Sequence, residues 1–178
     1  MKKSRGLSPS EAGLAINGWQ IFAHPLFLDQ LERLVGAVEK ERARNPRAHQ
    51  SSANTKLLKA LSRPLFEIIP EDPSRPEYRL GNTLGPGGRH WFRAKFGGQR
   101  FRLFFRYDSR AKIIVYAWVN DSTTLRTYCS RSDAYAVFAS MLRAGNPPDD
   151  WNALLTAAKG EKARARLRRS GPAKQGHD

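Results

Sequence analysis

The chain has one cysteine, Cys129, among its 178 residues. No internal disulfide can form, so the fold needs no oxidising compartment. Its four histidines are scattered and show no zinc-ligand spacing. Acidic residues are scarce where basic ones crowd: from 89 to 131 ten Lys or Arg stand against Asp108 and Asp121 alone. That scarcity removes the carboxylate cluster that two-metal nuclease chemistry requires. No run nears the roughly 18 apolar residues of a membrane span, and the start MKKSRGLSPSE lacks the apolar core of a signal peptide. The expectation is a cytoplasmic protein with no metal, no small-molecule cofactor and no membrane partner.

What the chain has in excess is positive charge. Its formal net charge is +15, which repels itself in a compact domain and calls for an anionic partner. The surplus is eight over residues 89 to 131 and five over 159 to 178, where seven Lys or Arg meet two acids. RNA or another polyanion is the partner this distribution suits.

The segment 90 to 120 places that charge on a pattern. Trp91, Arg93 and Lys95 alternate along one run, and Arg100, Arg102, Phe104 and Arg106 alternate along the next against Phe101, Leu103 and Phe105. A period of two predicts strands, here over 91–96, 99–107 and 112–119. Gly97-Gly98 and Asp108-Ser109-Arg110 supply the hairpin turns. Phe101, Leu103, Phe105, Ile114, Tyr116 and Trp118 are the expected core. The cation-lined face is expected to stay open to phosphate.

Elsewhere the pattern is helical. A short strand over Asn17–His24 precedes a helix carrying Phe27, Leu31, Leu34, Val35 and Val38, stopped at Asn45-Pro46. A second helix spans about 51–69 with a kink at Pro64, and 70–88 is a Pro- and Gly-rich loop. After the meander, Ser132 or Asp133 caps a helix whose apolar stripe includes Tyr135, Val137, Phe138, Met141 and Leu142, and a short helix near Trp151, Leu154 and Leu155 closes the domain. The reading is an α+β domain over 16–158, a flexible extension over 1–15 and a basic disordered tail over 159–178. LGPGGRH at 84–90 lacks the Gly-Lys-Ser/Thr ending of a P-loop.

Several ordered blocks then narrow the reading: NGWQIFAHPLF, TKLL at 55–58, RAKF at 93–96, RFRLFFRY at 100–107, WVND at 118–121, TLRTY at 124–128, DAY at 133–135 and GNPPDDW at 145–151. Together, over roughly 16–158, they resemble the YhaV toxins, RelE-like endoribonucleases of type II toxin–antitoxin systems. The resemblance implies a RelE-like fold, RNA cleavage that arrests translation on mRNA, free or on the ribosome, and neutralisation by a PrlF-type antitoxin of AbrB-like fold. It also implies site residues. Lys95 and Arg102 are assigned to the scissile phosphate, Arg126 to a second phosphate clamp, and Tyr128 to general base or stacking platform. Arg93, Arg100 and Arg106 are assigned to substrate binding.

The residues alone leave rivals to each assignment. Arg106 reads equally as a structural partner of Asp121 or Asp133, and His24 reads as a capping or packing residue. His90 is a proton carrier by type, but no motif places it in the chemistry. The competing function is a non-catalytic RNA- or ribosome-binding translation inhibitor.

Overall fold

In a computed structural model, residues 13–121 and 133–171 are described. The expected extension lies largely outside them, as do Arg126, Tyr128 and the last seven residues. The N-terminal segment is a hairpin rather than one strand: β1 (Leu14–Ile16) turns back into β2 (Trp19–Ala23). Asn17 and Gly18 both have positive φ, 51° and 80°, the backbone a two-residue hairpin turn demands. Ordered chain thus reaches back to Leu14, inside the stretch expected to be loose.

Helix α1 (Pro25–Arg44) begins with Pro in its first turn, and His24 caps it by accepting from the Leu26 N–H at 3.2 Å. Burial pushes the His24 imidazole below its usual range, with Asp29 opposing. Ser52 caps α2 (Ala53–Arg63) through the Thr55 N–H. At Pro64 the missing N–H and the ring widen the helix into one π turn, Pro64–Ile68, before the short α3 (Ile69–Glu71). The loop beyond holds two 3₁₀ turns, Pro76–Tyr78 and Pro86–Gly88.

The meander forms as expected, with β3 (Phe92–Phe96), β4 (Phe101–Asp108) and β5 (Ile113–Val119) antiparallel. The five-stranded sheet runs β1-β2-β5-β4-β3, and β2 joins β5 in parallel. All seven residues of β5 are buried, as a central strand covered on both faces must be. One face packs on α1 and α2 through Leu103, Phe105, Tyr116, Leu31 and Leu61. The other packs on α4 (Ala134–Arg143) and α5 (Trp151–Lys159) through Phe104, Val115, Trp118, Phe138 and Leu154. A register shift between Phe104 and Phe105 sets Phe104 against Trp118 and Phe105 against Tyr116, so Trp118 belongs to this second core. Asp133 stands at the N-cap of α4 without making a capping hydrogen bond from its side chain.

Two expectations change here. The cation-bearing face is roofed by α4 and α5 around Phe104 and Arg102, and only its margin, with Lys95 and Arg100, lies open. The described part of the tail is helical instead of disordered: residues Glu161–Ser170 form α6. Ala163 and Leu167 enter the first core at 6% and 2% exposure, and Arg166 bridges to Asp29 and Glu32 on α1. A stripe of only two small apolar residues was too faint to read against so many charges. The acids that neutralise the helix sit more than a hundred residues away.

Leu167→Ala should lower stability by about 2–3 kcal/mol, and ending the chain at Lys159 should lower the melting temperature further; an unchanged transition would mean α6 does not pack. The hydrogen bond from Arg166 holds the Glu32 carboxyl below its usual range, with burial opposing. Its stabilisation is therefore present at neutral pH and lost on acidification through that lowered value. The melting-temperature gap between wild type and Arg166→Met should narrow between about pH 7 and about pH 3.

Candidate active site under the α4 roof

The alternation along β3 and β4 puts Arg93, Lys95 and Arg102 on one face, with Lys95 directly opposite Arg102 in the ladder. Gly97 and Gly98 turn the hairpin with φ of 58° and 66°, and a side chain at 97 would collide with the Phe101 ring. Over this face α4 lays Tyr135. Its ring is held by Phe104, edge-on at 5.7 Å, and Phe104 is in turn stacked on Phe138 at 4.2 Å.

Two guanidinium groups converge on the Tyr135 hydroxyl. Arg93 Nε donates to it at 2.9 Å and Arg102 Nε at 3.2 Å. Each arginine is tied down elsewhere by backbone carbonyls: Arg93 Nη1 donates to Glu77, and Arg102 Nη1 donates to Gln99 and Phe101. The Asn120 side chain accepts from the Arg102 backbone N–H and donates to the Arg100 carbonyl. Burial raises the Tyr135 phenol, but the two guanidinium groups outweigh it and the net shift is downward. A phenol made more acidic by preorganised cations gives up its proton nearer neutrality than free tyrosine does, which makes its phenolate available as a base.

The expected site residues divide. Arg102 is only 4% exposed, a buried organiser where an exposed cation was expected. Arg93 is half-buried; Lys95 and Arg100 are exposed, Arg100 in the turn preceding β4. No described carboxylate forms an ion pair with Arg93, Lys95 or Arg102. Arg106 is sandwiched between Trp91 and Trp151, 5.4 and 5.2 Å from their rings, and donates to the Asp149 carbonyl at 2.6 Å. Its expected partners Asp121 and Asp133 are replaced by Asp149, whose carboxylate also accepts from Trp91 Nε1 at 2.7 Å and lies 2.8 Å from His90 Nε2. Arg106 therefore ties β4 to the loop between α4 and α5.

Tyr135 and Asn120 are the residues the sequence reading missed. Tyr135 was legible only as a member of the apolar stripe of α4. A tyrosine rather than Leu or Phe on a buried stripe is the available signal, because its hydroxyl must find a polar partner. Among the described residues no three His, Cys, Asp or Glu cluster in a way that could hold a metal ion, and no described helix is long and apolar enough to cross a membrane.

Comparison with known proteins adds to this geometry. Residues 21–159 match a family model described as a toxin with endonuclease activity, of a toxin–antitoxin system. The chain is 45% identical over 140 residues to the ribonuclease toxin YhaV of Escherichia coli strain K12, covering 78% of this chain and 91% of that protein. Identity and coverage are the same for toxin YhaV of Escherichia coli O6:H1. No solved structure matches the chain.

The burial pattern sets a contrast between neighbours in the ladder. Arg102→Ala strips donors from buried acceptors and should cost about 2–3 kcal/mol in urea unfolding. Lys95→Ala, at an exposed position, should stay within about 0.5 kcal/mol of wild type. Equal effects would contradict the asymmetry of the pair.

Proposed function

The chain belongs to the YhaV toxins, endonucleases of toxin–antitoxin systems, and from that membership we propose a ribonuclease toxin that cuts messenger RNA without a metal, its chemistry centred on Tyr135. The observation that carries the reading is the Tyr135 hydroxyl gripped by Arg93 and Arg102. We read the sheet and its helices as RelE-like, the neutralising partner as a PrlF-type antitoxin of AbrB-like fold, and the cytoplasm as the place of action.

In this reading the Tyr135 oxygen takes the proton of the ribose 2′-hydroxyl. The O2′–P bond forms, the P–O5′ bond breaks, and the 5′-oxygen leaves with a proton from water, to which Tyr135 then returns the proton it took. The products are a 2′,3′-cyclic phosphate and a 5′-hydroxyl. Exposed Lys95 meets the non-bridging oxygens, where charge builds in the transition state, and Arg93 and Arg100 hold the strand. Arg102 acts through Tyr135 as a positioning residue. Arg126 remains the second phosphate clamp and Tyr128 the alternative base or stacking platform.

Burial of Tyr135, 4% exposed, favours a second reading, in which the phenol merely orders the arginines of a face that binds RNA without cutting it. Purified protein with RNA in EDTA separates the two: cleavage to cyclic phosphate supports the first, binding without cleavage the second. Tyr135→Phe should lower the cleavage rate about a hundredfold or more. The wild-type rate should climb with pH through the lowered phenol titration. Arg93→Ala should move that climb upward, since losing a cation disfavours the phenolate. An unchanged rate and pH profile in Tyr135→Phe would remove it from the chemistry.

A further inference from the structure

Strand β3 is the last strand of the sheet, and beyond Arg79, which bridges Phe92, no described strand pairs with its outer edge. A groove of about 450 Å³ runs along that edge, walled by β3 at Ala94–Gly97, by the end of α2 at Arg63 and by the turn bearing Arg75, Glu77 and Tyr78. A hollow of about 310 Å³ shares Glu77, Tyr78 and Lys95 with it and reaches Gln99. Volumes in this range suit a small planar ligand.

Three features of the groove point to a ligand. Tyr78 is 4% exposed and packed edge-on against Phe105 at 5.4 Å, yet its hydroxyl has no hydrogen-bond partner. An unpaired buried hydroxyl costs stability unless something supplies the bond. The exposed side chain of Glu77 sets a carboxylate on a protein of net charge +15, beside Lys95. That carboxylate repels phosphate but accepts from amino groups. Finally, the Glu77 carbonyl accepts a hydrogen bond from Arg93 Nη1 while Arg93 Nε donates to the Tyr135 hydroxyl, so one guanidinium spans from the groove to the phenol.

We propose that this groove is a base-binding subsite of the RNA face, taking a nucleobase with an exocyclic amino group next to the scissile phosphate, with Glu77 and Tyr78 as specificity-determining residues. The proposal rests on the ribonuclease reading above. Adenine, cytosine and guanine offer Glu77 an amino donor; uracil offers none. The β3 edge adds backbone donors and acceptors for the remaining base edge, as base readout requires.

Single-stranded oligoribonucleotides differing at one base test it with the full-length protein. Wild type should cleave next to adenosine, cytidine or guanosine at least about tenfold faster than next to uridine. Glu77→Ala should shrink that preference to within about twofold. Tyr78→Phe should reduce the preference without lowering the melting temperature, which a purely structural hydroxyl would not do. Binding is read separately by fluorescence anisotropy, with a 2′-deoxy sugar at the scissile nucleotide. Cleavage with the same base preference in wild type and both variants overturns the groove and leaves the ribonuclease reading standing. Absence of cleavage with a binding preference that Glu77→Ala abolishes does the reverse. Absence of cleavage and of any binding preference overturns both.

Discussion

A sheet covered on both faces must bury whatever its alternating pattern carries, and here one of those faces carries arginines. Everything characteristic of the molecule follows from how that burial is made tolerable. A guanidinium removed from water needs its N–H groups satisfied. Arg102 and Arg93 meet this need with backbone carbonyls and one shared phenol, and Arg106 meets it with two indole faces and a carbonyl.

Neutral acceptors satisfy hydrogen bonds but cancel no charge. The contrast within the chain is Arg166, which carboxylates of Asp29 and Glu32 neutralise and which pins α6 to α1. Arg93, Lys95 and Arg102 have no such counter-ion among the described residues, so their field remains available to an incoming anion. Using dipoles in place of charges is how a protein can hold cations rigid while keeping them electrostatically active. The same arrangement explains the downward shift of the Tyr135 phenol against the opposing effect of its burial.

The second hydrophobic core gives this arrangement its rigidity. Phe104, Trp118 and Phe138 stack between sheet and α4, with Trp118 and Phe138 nearly parallel at 5.8 Å. Trp91 and Asp149 lock the start of β3 to the loop before α5. A roof fastened at both ends leaves Tyr135 little freedom to drift from the arginines, and positional precision of this kind is what proton transfer depends on.

Local sequence determined much of this. The period-two runs mark β3, β4 and β5 to within about two residues, because a strand with two unlike faces must alternate. Pro64 marks the helix break, since it acts through backbone sterics alone, whereas Asn17-Gly18 reads in sequence as the start of a single strand and shows as a hairpin turn only once β1 pairs with β2. The ordered blocks of residues sufficed to identify the family. Tertiary structure alone decided which face of the meander is roofed, because alternation distinguishes two faces without saying what lies on either. It alone set β2 parallel to β5, brought Tyr135 to arginines 42 and 33 residues earlier, and turned a charged tail into a docked helix through acids 137 and 134 residues away. Those contacts arise from chain segments meeting in space, where the partner of a charge or a hydroxyl is chosen by packing and not by its neighbours in sequence.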